Sequence, residues 1–164
     1  MGDNIVAVLD ALLSSTCGDL LLYNNPALTA NISLPIDQMA LFFGEKRIVG
    51  IKDSSGDLGY LDRLIQARGE RSISIFYGRE HKLKEALARP INGIVPGLGN
   101  VEPQLLCKLW EEKEGGPWER WAELKAEVQT MHPVYLSALK LLLKEKGIIT
   151  DSRLWQSTTY CTRQ

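Results

Sequence analysis

Lys52 is the residue of this sequence best placed to do chemistry. It directly follows the apolar run Ile48-Val49-Gly50-Ile51 and opens the polar, glycine-bearing stretch Asp53-Ser54-Ser55-Gly56. A lysine at the point where a buried strand emerges loses part of its hydration, which penalises the ammonium form. The neutral amine that results can attack a carbonyl carbon. The same position also permits ordinary behaviour: the amine reaches water along its own alkyl stem, or pairs with Asp53 or Asp57. Tyr23 closes the preceding apolar run, Leu20-Leu21-Leu22. Neighbouring strands lie about 4.8 Å apart, so a phenol and an amine at adjacent strand ends reach one pocket. A phenol there can move protons during carbinolamine formation and C–C cleavage. By itself, a strand-end tyrosine would equally rest with its hydroxyl in solvent.

The elements that must position this pair follow from periodicity. Ile5, Val6, Leu9, Leu12 and Leu13 have helical spacing, predicting a helix from a cap at Asp3 or Asn4 to about Cys17. The run 20–23 is short and wholly apolar, as in a parallel strand buried on both faces, and Asn24-Asn25-Pro26 stops it. Ser33 is expected to cap a short helix with Pro35 in its first turn and Gly44 at its end. Strands follow at 48–51, 73–77 and 93–96, with helices around 58–65 and 80–88 between them. Beyond the loop Gly97-Leu98-Gly99-Asn100 the pattern is helical only, at about 103–114, 117–131 and 134–146, and the tail from Asp151 reads as irregular. Four strands alternating with helices mean parallel βα units, in an open doubly wound sheet or in part of a (β/α)₈ barrel. Four strands cannot close a barrel, and periodicity alone does not choose between the two. The expected division is 1–102 for the βα units and 103–164 for the C-terminal helices and tail.

Composition narrows the partners. Nineteen basic against twenty acidic residues give a net charge of −1, so no basic surplus exists to neutralise phosphates and no nucleic-acid partner is expected. No apolar run reaches the roughly 18 residues of a membrane span, and the N-terminus has no basic region of a signal peptide. Cys17, Cys107 and Cys161 are odd in number and widely spaced, which fits reduced thiols in a cytoplasmic protein. Gly97-Leu98-Gly99 opens like a dinucleotide fingerprint, but its third glycine position is Glu102 and it follows the last strand. His81 and His132 are too far apart for a local metal motif, and neither a metal nor a cofactor is expected. Trp110, Trp118 and Trp121 read as core or interface.

In either architecture the working face lies at the C-terminal strand ends, and the residues there resemble one family. Leu22-Tyr23-Asn24-Asn25-Pro26, Val49 through Asp57, Tyr77-Gly78, and Gly93-Ile94-Val95 through Asn100-Val101-Glu102-Pro103 resemble the N-acetylneuraminate lyase and dihydrodipicolinate synthase family. These are pyruvate-dependent class I aldolases built on a (β/α)₈ barrel, and the resemblance runs from about Asn4 to Thr150. It implies that this chain corresponds to the C-terminal half of the barrel, its first strand matching the family's fifth. By resemblance, Lys52 is the Schiff-base lysine and Tyr23 the catalytic tyrosine. Ser54 matches a position that carries a substrate-contacting hydroxyl in the sialic-acid lyases. Gly78 and Glu80 match positions facing the second substrate, and Val95 a residue whose backbone carbonyl lies near the active site. The implied partners are pyruvate or another 2-oxo acid and an aldehyde. Two features depart from the pattern. Leu28 stands where the dihydrodipicolinate synthases carry a carboxylate-binding arginine, which argues against that activity and toward a sugar-acid aldolase or lyase. The paired-hydroxyl loop that grips the pyruvate carboxylate belongs to the half that has no counterpart here.

Three functions compete at this level: a Schiff-base aldolase worked by Lys52 and Tyr23; a half-barrel that acts only by association; and a phosphate-binding βα module using Gly78-Arg79 and Gly97-Leu98-Gly99 as anion loops. A half-barrel would expose strand edges at 20–23 and 93–96, and an apolar face expected to carry Leu22, Ile51 and Val95. That predicts a homo-oligomer.

Overall fold

The computed structural model describes residues 2–154. Its single sheet has four parallel strands, β1 (Leu20–Asn24), β2 (Ile48–Asp53), β3 (Ser74–Tyr77) and β4 (Gly93–Ile94), in the order β1-β2-β3-β4. A doubly wound sheet reverses direction about its first strand; this one does not, so the architecture is that of part of a (β/α)₈ barrel. Helices α1 (Gly2–Ser15), α2 (Ile36–Phe42), α3 (Leu58–Arg68) and α4 (Leu83–Leu87) alternate with the strands. Three more, α5 (Pro103–Glu112), α6 (Trp118–Met131) and α7 (Tyr135–Glu145), form the C-terminal helical extension. Among the described residues no helix is long and apolar enough to cross a membrane. Residues 151–154 have no regular structure; Cys161 and the rest of the tail lie outside the described residues.

The sheet is covered on one face only. Leu22, Ile48, Ile51, Ile75 and Tyr77 are buried together with Met39, Phe42, Leu61, Leu64 and Leu83 of the flanking helices. That core continues into Leu105, Leu109, Trp121, Leu124, Val128, Leu139 and Leu142 of α5–α7. Trp121 is a core residue, and Trp110 and Trp118 pack half-buried against it. The opposite face is bare: Leu21 is 53% exposed, Tyr23 50%, Val95 46% and Val49 37%. This corrects two expectations. β1 is not buried on both faces, and Leu22 (8% exposed) and Ile51 (0%) do not belong to the open apolar face. Side chains alternate along a strand. With Tyr23 and Lys52 turned to the bare face, Leu22 and Ile51 must turn to the helices. Val49 is an inserted residue at a register shift: Leu20 pairs with Ile48, but Leu21 pairs with Gly50.

Other departures have local causes. Ser33 does not cap α2, whose N-cap is Pro35. Proline restricts the residue before it to extended backbone, and the Leu34 N–H is taken by Asn24 Oδ1 at 3.0 Å. α1 runs through both Asp3 and Asn4, so neither is its cap. α4 starts at Leu83 rather than 80, after Lys82 in the left-handed region (φ 55°). The Tyr77 hydroxyl donates to the His81 carbonyl at 2.6 Å and holds that turn open. β4 is only two residues long, although the Val95 N–H still donates to the Tyr77 carbonyl at 2.7 Å.

Candidate active site

β1 and β2 are joined so that Tyr23 pairs with Lys52 and Asn24 with Asp53. β2 and β3 are joined so that Lys52 also pairs with Phe76. Parallel pairing in register therefore puts Tyr23, Lys52 and Phe76 in a row on the bare face at the C-terminal rim. Lys52 Nζ lies 4.8 Å from the centroid of the Tyr23 ring. An ammonium so placed is attracted by the ring face, and the same contact keeps the amine beside the phenol.

The two carboxylates that could have neutralised Lys52 are engaged elsewhere. Asp53, on the opposite face of β2, is fully buried; it accepts from Asn24 Nδ2 at 2.7 Å, from the Ser55 N–H at 3.2 Å and from Ser55 Oγ at 2.9 Å. Asp57 caps α3, accepting from the N–H groups of Gly59 (2.8 Å) and Tyr60 (3.2 Å). Among the described residues no carboxylate forms an ion pair with Lys52. The amine is left to the ring and the open face.

The Tyr23 hydroxyl accepts from Asn25 Nδ2 at 2.7 Å. Burial alone would push this phenol up, but the Ser54 hydroxyl, the Asn25 amide and the positive charges of Lys52 and Arg79 outweigh it, and the net direction is down. A phenol held below its usual range gives up its proton more readily than a free tyrosine does. Ser54 is buried, and its Oγ donates to the Gly78 carbonyl at 3.3 Å. Gly78 closes the wall: its N–H donates to the Asp53 carbonyl at 2.8 Å. A Cβ built on it would stand 2.3 Å from Ser54 Oγ and 2.6 Å from Lys52 Cε.

Of the residues singled out from sequence, the structure brings Tyr23, Lys52, Ser54 and Gly78 together. Val95 stands on the same bare face, one strand further along, with its side chain exposed. The Glu80 carboxylate turns to α7 and the loop after β4, accepting from the Tyr135 hydroxyl and from the Leu98 N–H at 3.2 Å. Sequence reasoning passed over Phe76, which was within reach of strand parity, since it lies one residue before Tyr77. Asn25 was read only as part of the strand-ending motif and Arg79 only as part of a candidate anion loop; nothing local tied either side chain to Tyr23.

Burial raises the Asp53 carboxyl above its usual range, offset in part by the bonds from Asn24 and Ser55. The folded chain then holds a proton that the unfolded chain releases nearer pH 4. In the window between those two values the native state binds more protons, so stability falls as pH rises. Asp53→Asn should flatten this fall while an amide oxygen still accepts from Asn24. Urea midpoints measured across the acid range check it; an unchanged slope in the variant would assign the dependence to another group.

Comparison with known proteins completes the picture. Residues 3–153 match the profile of the Dihydrodipicolinate synthetase family. An uncharacterized DapA-like lyase of Thermoplasma acidophilum is 31% identical over 125 residues, covering 75% of this chain and 41% of the relative. The N-acetylneuraminate lyase of Clostridium perfringens is 24% identical over 144 residues, covering 85% of this chain and 49% of the relative. The crystal structure of the chloride-inhibited dihydrodipicolinate synthase of Acinetobacter baumannii, complexed with pyruvate, matches with a TM-score of 0.74 at 20% identity; the match covers 99% of this chain and 57% of that one. The chain thus spans about half the length of the proteins it resembles. With the family profile matched over nearly its whole length and the four strands laid out as part of a barrel, the chain belongs to the dihydrodipicolinate synthetase family.

Proposed function

We propose that this chain carries the Schiff-base machinery of a class I aldolase or lyase, forming or cleaving a C–C bond between pyruvate, or another 2-oxo acid, and an aldehyde. The observation that carries it is the Lys52 amine against the Tyr23 ring, without an ion-pair partner among the described residues, beside a phenol whose surroundings lower its pKa. The Lys52 amine attacks the keto carbon, and the carbonyl oxygen takes a proton to become a carbinolamine hydroxyl. Tyr23 delivers a proton to that hydroxyl, which leaves as water and gives the iminium. Loss of a proton from the adjacent methyl makes the enamine, whose carbon bonds to the aldehyde carbon; cleavage runs the same steps backward. Ser54 supports the Tyr23 hydroxyl and the wall beside the lysine, and Val95 lines the open face. The test is borohydride trapping: pyruvate plus reductant should add to the chain the mass of pyruvate less one oxygen atom. Absence of any such gain overturns the reading. The widely spaced thiols, of which Cys17 and Cys107 are free and exposed, support a cytoplasmic setting.

The bare face supports self-association. Leu21, Val49 and Val95 stand in solvent, and removing each from water contributes about 1–2 kcal/mol. Among the described residues β1 and β4 are the edge strands, and each presents there a row of backbone donors and acceptors with no neighbouring strand. A two-fold that sets β1 of one copy against β4 of another satisfies both rows at once and encloses the apolar face. Sedimentation across a hundredfold dilution should give a mass above that of the 18.3 kDa chain. A stable monomer that binds no apolar dye would sink the idea.

A further inference from the structure

The loop after β3 holds more than the wall of the lysine site. Arg79 Nε donates to the Ser54 carbonyl at 2.6 Å, which fixes the guanidinium beside the residue that supports Tyr23. Its charge reaches the Tyr23 phenol on one side and the Tyr135 phenol on the other. On the Tyr135 side it lines a cavity of about 220 Å³ together with Glu80, His81, Lys125, Gln129 and Tyr135. Neither Arg79 nor Lys125 has an ion-pair partner among the described residues. Among the described residues the carboxylate in the lining is that of Glu80, which already accepts on Oε1 from the Tyr135 hydroxyl and the Leu98 N–H. That second bond also settles the fate of the glycine loop: the Leu98 N–H of Gly97-Leu98-Gly99 is occupied by this chain's own carboxylate. The cation pair is what remains open to an external anion.

We propose that this cavity is an anion subsite in which Arg79 and Lys125 hold the carboxylate or phosphate tail of the aldehyde. The assignment to the aldehyde rests on the Schiff-base reading above. The link between the two places is short in the chain: Gly78 packs on Lys52 and Arg79 follows it. Leu28, 77% exposed on the turn after β1, offers an anion nothing. A charged tail would therefore be held from the β3 side and not from the β1 side. Guanidinium-to-oxyanion bonds are charge-assisted and among the stronger polar contacts.

The Arg79 Nε–H, bonded to Ser54, is a natural reporter in a ¹H–¹⁵N spectrum of the whole chain. Glycerol 3-phosphate and 4-hydroxybutanoate supply the two anions without an aldehyde that would react with lysines, and glycerol is the neutral control. At least one anion should shift the Arg79 resonance saturably where glycerol does not, and the one that saturates at lower concentration identifies phosphate or carboxylate. Lys125→Gln should weaken that binding about tenfold, as should Arg79→Gln read from neighbouring amides. Lys108→Gln, which removes an exposed charge on α5, should not. Anions that bind no better than glycerol, or an equal loss in Lys108→Gln, overturn the subsite. Pyruvate trapping on the same sample separates the two readings. Trapping without anion binding sinks the subsite alone, whereas anion binding without trapping sinks its assignment to an aldehyde.

Discussion

Lys52→Ala should lose the pyruvate adduct entirely, leaving only the background of surface lysines. The expectation follows from what surrounds the residue. Lys52 lies between Tyr23 and Phe76 in the sheet register, and Asp53 and Asp57 are committed to Asn24, Ser55 and the start of α3. No other lysine of the described chain shares a strand end with a phenol whose environment lowers its pKa. The alanine shortens a side chain on the bare face and leaves the Ile48, Ile51 and Ile75 core untouched, so the fold should persist. Tyr23→Phe provides the companion measurement. It keeps the ring against the amine but removes the proton relay, and general acid–base groups of this kind contribute about 10²–10⁴-fold in rate. Trapping in Tyr23→Phe should therefore slow by that order while still reaching Lys52. An adduct of undiminished yield in Lys52→Ala would place the chemistry on another amine.

Why this pair could be read from sequence, and the rest of the site could not, is a matter of distance along the chain. Lys52 and Tyr23 each end an apolar run, and consecutive parallel strands are neighbours, so their meeting needed only the βα alternation. The partial barrel itself was not fixed by periodicity, because a doubly wound sheet has the same alternation; the strand order β1-β2-β3-β4 decides it. The face assignment of Leu22 and Ile51 failed by one residue. Apolar runs do not say which side is covered, and the inserted Val49 shifts the register within β2. Ser33 looked like a cap because its type is right, yet the next N–H, that of Leu34, is claimed by Asn24, ten residues before it. Glu80 is the clearest case: its carboxylate bonds to Tyr135, 55 residues later, a partner visible only once α7 is packed against the loop after β4.

Gly78→Ala should cost the lysine its position without costing the protein its fold. A Cβ on Gly78 would meet Ser54 Oγ at 2.3 Å, Lys52 Cε at 2.6 Å and the Asp53 carbonyl at 3.4 Å. The backbone contact is ordinary, so the strand need not move. The first two contacts cannot coexist with the observed side chains. The Ser54 hydroxyl can rotate away, giving up its bond to the Gly78 carbonyl and its support of the Tyr23 phenol. The Lys52 stem must swing on its rotatable bonds, which takes its amine off the Tyr23 ring. Misplacing a reacting group by about 1 Å costs on the order of 10²-fold in rate. The trapping rate in Gly78→Ala should thus drop by about that factor, with the urea midpoint near that of the unsubstituted chain. Adding Ser54→Ala removes the closest clash but leaves the one with Lys52 Cε, so the double variant should recover little. Full recovery would mean that Ser54, and not the lysine stem, is what Gly78 makes room for. A single variant that traps pyruvate at the normal rate would show that Lys52 does not react from the place it holds in this fold.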